Sequence, residues 1–271
     1  MSLCGLLSAF LAYPYVLQAK PLFKAELPAN WVSERAAPWN PDWTSGELEA
    51  QKIVPLGNGK NALRMRYKKD ETSKGGMQVA ADLSDSEARS RSELFLGYHL
   101  KLDPDFDFKI GGKLPGFASQ NTGGGDRPVN GFSTRNMWRE GGEFVLYLYV
   151  PKQKNYGENV KHPYGLDIPY KAKLTPGKWQ YLVQRVRLNT PGKADGIFEG
   201  WIDGEKKVSL DNIMYRRSWQ TYPIELFWFS TFFGGSGPEW EPSTHQYAEF
   251  SEFVVADSYP EPDPWFAKQG K

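Results

Sequence analysis

The sequence predicts an all-β fold, a sandwich of two antiparallel sheets. Three observations carry that expectation. The 271-residue chain holds 27 Gly and 20 Pro, a density of turn formers suited to many short strands rather than long helices. It also holds 16 Phe, ten Trp and 14 Tyr, side chains that fill a sandwich or barrel core. Apolar residues recur with period two in segment after segment, without the strand–helix–strand rhythm of a parallel sheet, so two antiparallel layers should result.

Residues 1–19 carry no charge and run through Leu3, Leu6, Leu7, Phe10, Leu11, Val16 and Leu17. They read as a secretory signal peptide cleaved near Ala19-Lys20, although a basic n-region is missing and an apolar segment packed on the domain is the competing reading. The protein is therefore expected to be secreted and extracellular, with 20–271 as a single domain. The one cysteine, Cys4, would leave with the leader, so no disulfide is expected. No second apolar run approaches the ~20 residues that span a bilayer, so no membrane partner is expected.

Residues 20–60, with Trp31, Trp39 and Trp43, look like an extended segment wrapped around the sandwich. Ala62–Tyr67 alternates as a strand. Ser84 and Glu87 have capping-box spacing, which predicts a short helix over Ser84–Arg89. Glu93–Leu102 should bury Leu94, Leu96, Tyr98, Leu100 and Leu102 on one face. Phe106–Ile110 is strand-like and leads into the glycine-rich run 111–116. Gly123-Gly124-Gly125-Asp126 lacks the Lys-Ser/Thr of a phosphate loop and reads as a mobile crossover beside the cleft. Residues 151–173 carry Lys152, Lys154, Lys161, Lys171 and Lys173, a solvated loop or a basic lid. Lys178–Leu188, Gly196–Ile202, Glu205–Leu210, Ile224–Phe233 and Tyr247–Ala256 complete the strands, with Asp203-Gly204 as a two-residue hairpin turn.

The richest stretch is 131–151. Phe132, Trp138, Phe144, Leu146, Leu148 and Val150 share one parity and should form a buried wall. Ser133, Arg135, Tyr147 and Tyr149 fall on the other. A two-residue turn at Gly141-Gly142 would set Arg135 against Leu148, polar facing apolar. A three-residue loop, Glu140–Gly142, instead pairs Arg135 with Tyr147 and Ser133 with Tyr149, within cross-strand reach.

That face carries a hydroxyl, a guanidinium and two phenols, without the carboxylate pair that glycoside hydrolysis uses. The three histidines, at 99, 162 and 245, are isolated, which argues against a Ser-His-Asp triad or a multi-histidine metal site. Net charge of +1 gives no global field toward nucleic acid. A β-elimination on a uronic acid fits better. It needs a cation to neutralise the sugar carboxylate, a base for the C5 proton and an acid for the departing O4. Arg grips a carboxylate bidentately, and a tyrosine could act as base or acid if a neighbouring cation lowers its pKa. An acidic polysaccharide is thus the expected partner, with no nucleic acid. A carbohydrate-binding sandwich without catalysis is the reading from another class; a glycoside hydrolase would need a second acid beside Glu143. The elimination requires no cofactor. Asp103, Asp105 and Asp107 alternate like calcium ligands, but Phe108 and Leu114 stand where an EF-hand needs Gly and Glu; a structural calcium elsewhere stays open.

Gly-Gly-Lys-Leu-Pro-Gly (111–116), Phe-Ser-Thr-Arg-Asn-Met-Trp-Arg (132–139) and Tyr-Leu-Tyr-Val-Pro (147–151) together closely resemble polysaccharide lyase family 14, the alginate and polyuronate lyases. The Lys-Leu-Pro-Gly region is also similar to the family 20 glucuronan lyases. The likeness is strongest from Arg91 to Pro151, looser through Trp179–Gly204 and Phe229–Gly235, and absent over 20–80. It implies a β-jelly-roll with a concave substrate groove, acting as a monomer on a β-1,4-linked polyuronate, alginate or polymannuronate first and glucuronan second, to leave 4,5-unsaturated ends. It implies catalytic roles for Lys113, Arg135, Tyr147 and Tyr149, leaving base and acid undivided between the tyrosines, and substrate contact for Ser133. Arg91 and Glu93, two apart on one presumed strand face, and Gln78 after Gly75-Gly76 are further candidates for substrate contact. His245 reads as a surface-loop residue.

Overall fold

The computed structural model describes residues 18–57, 59–122, 130–151 and 164–269. The strands, in chain order, are β1 (Pro21–Ala25), β2 (Pro41–Gly46), β3 (Lys52–Pro55), β4 (Asn61–Tyr67), β5 (Met77–Asp82), β6 (Glu93–Leu102), β7 (Gly111–Leu114) and β8 (Gly116–Ala118). They continue as β9 (Ser133–Arg139), β10 (Glu143–Tyr149), β11 (Leu166–Lys173), β12 (Gln180–Arg187), β13 (Gly196–Ile202), β14 (Glu205–Ile213), β15 (Leu226–Phe233) and β16 (Gln246–Ala256). A single α-helical turn, α1 (Pro264–Ala267), follows among the described residues.

Two eight-stranded sheets result. One runs β14-β13-β12-β6-β16-β4-β3 with β1 on β16; the other runs β11-β10-β9-β7-β15-β5-β2 with β8 between β15 and β9. The pairings are antiparallel throughout. The antiparallel sandwich expected from composition and alternation is what forms.

The core lies between the inner faces, where alternate residues interdigitate. Trp138, Phe144, Leu146 and Leu148 of the second sheet meet Leu94, Leu96, Tyr98 and Leu100 of the first in one cluster. Trp138 packs edge-on against Tyr67, Phe106 and Phe233, with ring centroids 5.3–5.7 Å apart. Such a ring, wholly buried, contributes about 3–5 kcal/mol against truncation to Ala.

Several sequence expectations need correction. Residues 20–60 do not merely wrap the sandwich: β1 and β3 join the first sheet, β2 edges the second, and Trp31 and Trp39 are fully buried. Ser84–Arg89 is a chain of turns, not a helix, because the Asp82 carboxylate and Ser86 hydroxyl intercept backbone N–H groups of Ser84 and Ala88. Phe106–Ile110 is not extended; the glycine run after it is, as β7 and β8. Leu166–Lys173, expected as loop, is a strand on β10, with Tyr170 inside and Lys171 and Lys173 exposed. Gly123–Asp126, Lys152, Lys154, Lys161 and residues 1–17 lie outside the described residues.

The C-terminal segment crosses the outer face of the first sheet. There His99, 2 % exposed, stacks on Phe266 of α1 with ring centroids 3.8 Å apart. Burial pushes its pKa down to about 3, with Lys60 adding to the depression and Asp263 opposing it. The folded state therefore refuses a proton that the unfolded chain accepts below its ordinary value near 6.5. Stability from this group is full above that value and falls by about 1.4 kcal/mol per pH unit below it. Denaturant midpoints measured from pH 7 to pH 4.5 should fall in the wild type and fall less steeply in His99→Phe; parallel slopes would show that His99 does not set this dependence.

Candidate active site

The β9–β10 hairpin closes through Glu140–Gly142, and its register pairs Arg135 with Tyr147 and Ser133 with Tyr149. All four side chains fall on the outer face of the second sheet. β7 lies on the other side of β9 and sets Lys113 beside Met137. Lys113, Ser133, Arg135, Tyr147 and Tyr149 thus converge from three neighbouring strands.

The cluster is more closed than a solvent-facing sheet. Tyr147 and Tyr149 pack with Met137 and Val145 into an apolar patch separate from the main core, and each of the five residues exposes less than a tenth of its surface. The two phenol rings meet edge to face, centroids 5.2 Å apart, and the Tyr149 hydroxyl donates to that of Tyr147 at 3.5 Å. They can lie this close to β11 because Gly165 has no side chain: a Cβ there would stand 2.8 Å from the Tyr149 ring and 3.1 Å from that of Tyr147.

Lys113 Nζ lies 3.4 Å from the centroid of the Tyr147 ring and donates to Met137 Sδ at 2.7 Å. Burial drives its pKa well below the usual lysine value, and the Arg135 and Arg139 guanidiniums push it further down. Arg135 donates from Nε to Ser133 Oγ at 3.1 Å and from Nη1 to Ser230 Oγ at 3.2 Å, while its guanidinium sits 3.8 Å over Trp228. Burial lowers even this group to about 10, with both tyrosines opposing the shift. Tyr147 moves the other way: burial raises it, the Tyr149 hydrogen bond adds to the rise, and Arg139 opposes it. The neighbouring cations do not draw this phenol's pKa down as the sequence suggested, because loss of water outweighs them.

The remaining candidates separate cleanly. Gln78 on β5 reaches the site, since Ser230 Oγ donates to its Oε1 at 3.0 Å, and Gln78 in turn donates to Ser45 Oγ at 3.3 Å. It buttresses Arg135 through Ser230. Arg91 and Glu93 do not reach it. Arg91 precedes β6 as an exposed turn residue, and Glu93 faces outward on the opposite sheet, its carboxylate paired with Arg185 at 2.7 Å. The sandwich lies between Glu93 and Lys113, while the Arg91 carbonyl accepts from the Ile224 N–H at 2.9 Å, just ahead of β15 and at the opposite end of that strand from Lys113. His245 is exposed and accepts the Lys69 backbone N–H at 3.0 Å.

Sequence reasoning missed Met137, Ser230, Trp228 and the Arg139–Asp167 pair, which is bidentate at 2.6 and 2.8 Å. Parity could have found the first three. Met137 shares a face with Arg135, while Trp228 and Ser230 alternate with the core residues Phe227 and Phe229. A surface hollow lined by Val32, Ser33, Arg35 and Glu49 lies on the N-terminal segment and shares no residue with this cluster.

A family model described as polysaccharide lyase 14 matches residues 56–253, well over half of the chain. The chain belongs to polysaccharide lyase family 14. Among solved structures it is similar to the marine alginate lyase of that family from Aplysia kurodai, at 25% identity and a TM-score of 0.75, over 88% of this chain and 99% of that one. The alginate lyase vAL-1 from a Chlorella virus shares the fold at 22% identity and TM-score 0.68, covering 88% and 100% of the two chains. So does an endo-β-1,4-glucuronan lyase from the fungus Trichoderma reesei, at 16% identity and TM-score 0.57, covering 88% and 96%. No curated protein matches the sequence.

Within this lyase fold, Gly165 offers a test of geometry alone. Gly165→Ala inserts one methyl group against both phenol rings, and a displacement near 1 Å at a reacting group costs about 10²-fold in rate. The expected result is a fall in turnover of that order with the circular dichroism spectrum unchanged. Full turnover would mean that the position of these rings does not matter to the reaction.

Proposed function

We propose that the protein cleaves a β-1,4-linked polyuronate, polymannuronate-rich alginate first, by β-elimination. The observation that carries this reading is the buried amine of Lys113, packed on the Tyr147 ring between two guanidiniums and, among the described residues, without a carboxylate ion pair of its own. Among the described residues Arg135, Arg139 and Lys113 face one carboxylate, Asp167, which Arg139 already holds. Such a face invites an anionic sugar. Alginate oligosaccharides occupy a double variant of the structurally similar lyase Aly36B, which supports the same substrate class here.

The roles follow from the electrostatics. Arg135, oriented by Ser133 and Ser230, neutralises the uronate carboxylate and so acidifies the C5 proton. Lys113, held toward its neutral form, accepts that proton. Tyr147, whose burial keeps it protonated, delivers its proton to O4 as the C4–O4 bond breaks, and Tyr149 donates into the Tyr147 oxygen to offset the charge left behind. The electron pair of the C5–H bond becomes the C4–C5 double bond. The step needs no cofactor. The apolar, uncharged run of residues 1–19 supports export, placing the enzyme where such polymers are found.

Absorbance near 235 nm should rise when the protein meets polymannuronate, and less or not at all with polyguluronate or glucuronan; glucuronan alone giving the signal would move the substrate to the second reading. Tyr147→Phe removes only the hydroxyl, so the loss should appear in kcat, about 10²–10⁴-fold, with KM little changed. Near-normal turnover in that variant would remove Tyr147 as the acid. The rate should also climb with pH through the depressed lysine pKa and hold into the alkaline range, because the Tyr147 pKa lies above that of an ordinary tyrosine. Lys113→Arg should abolish activity at every pH, since a guanidinium stays charged; retained activity would exclude an amine base.

A further inference from the structure

The outer face of the second sheet continues past Arg135 in a line of alternating large and small residues. Trp43 on β2 pairs with Ala80 on β5, Ala80 with Trp228 on β15, and Trp228 with Gly116 on β8. Gly116 in turn lies against β9, where a Cβ would stand 2.6 Å from Arg135 Cα. The two small positions are what let the large ones touch. Over Gly116 the Arg135 guanidinium reaches to 3.8 Å from the Trp228 ring. Over Ala80 the Trp43 and Trp228 rings meet at 5.7 Å and 78°.

Two features of this line have no use within the fold. Trp43 leaves 38 % of its surface exposed on an edge strand, a large apolar ring facing water. The Trp228 indole N–H is buried yet finds no acceptor. The Trp43 ring lies just beyond Trp228 from the Arg135 guanidinium, one ring further along the face than the sugar that reacts there. Past Trp43 a second surface hollow is lined by Glu34, Asp42 and Arg35.

We propose that Trp43 and Trp228 form a subsite adjoining the reacting one, stacking a neighbouring ring of the same polyuronate chain. The C–H face of the sugar lies on the Trp43 indole, whose ring face is electron-rich. This inference rests on the polyuronate reading and adds an element that the family match does not reach, because β2 precedes residue 56.

The test measures the wild type and Trp43 variants on long polymannuronate. Trp43→Ala should raise KM for the polymer at least fivefold and leave kcat within twofold. Trp43→Leu keeps an apolar cover on Trp228 without a flat ring and should behave like Trp43→Ala, while Trp43→Phe should recover most of the loss. An unchanged polymer KM in Trp43→Ala, a full rescue by Leu, or a loss confined to kcat would overturn the subsite. A wild-type protein that cleaves no polyuronate would instead sink the functional reading and the subsite with it, and that failure shows before any variant is made.

Discussion

Gly141 and Gly142 take left-handed backbone angles, φ 63° and 80°, and the three-residue turn they make sets the register between β9 and β10. Everything else at the site depends on that register. With it, Trp138, Phe144, Leu146 and Leu148 enter the core while Arg135, Tyr147 and Tyr149 reach the other face together. A slip of one residue would send the guanidinium into the sandwich and a wall of leucines into the cleft. Binding chemistry and core packing are therefore one constraint seen from two sides of a sheet.

Two guanidiniums and an amine packed this tightly oppose folding, and the surroundings show how the opposition is contained. Arg139 has its carboxylate in Asp167. Arg135 has two hydroxyls and the Trp228 face, and Lys113 has an aromatic face and a thioether. None of these partners except Asp167 is an anion. Rings and hydroxyls hold a cation in place without cancelling its charge, so the field stays available to a carboxylate that arrives with substrate. A full complement of aspartates would make the fold more comfortable and the site inert.

Much of this was legible because strand parity is a strict code. The hairpin, its loop length and its two faces could be read from residues 131–151, since only one register separates polar from apolar side chains. The errors came where that code is weak. Pro169 and the neighbouring lysines disguise β11, although Leu166, Ile168, Tyr170 and Ala172 alternate correctly. Glu93 reads as a cleft residue by parity, yet sequence does not say which of two sheets a strand enters, and β6 entered the one opposite the cluster. The shift of Tyr147 was unreadable for a different reason: the sequence shows which charges are near a phenol but not how completely water is excluded from it. Here exclusion outweighs the charges.

The two outer faces of the sandwich differ in a way that explains why only one of them suits a polyanion. On the first sheet Arg185 bridges Glu93 and Glu199, Lys206 joins Glu199, Arg64 bridges Asp103 and Glu249, and Lys101 joins Glu249. Four cations there meet four carboxylates, partly exposed and mutually satisfied, and the C-terminal segment lies across the same face. An incoming uronate would have to break an existing pair to gain a new one, an exchange with little net return. In the cluster on the second sheet, among the described residues, the cationic side chains outnumber the carboxylate, water is largely excluded, and a new ion pair to Arg135 forms without displacing an old one. Specificity for an acidic chain thus comes from the distribution of charge between two faces of a nearly neutral protein, which its net charge of +1 conceals.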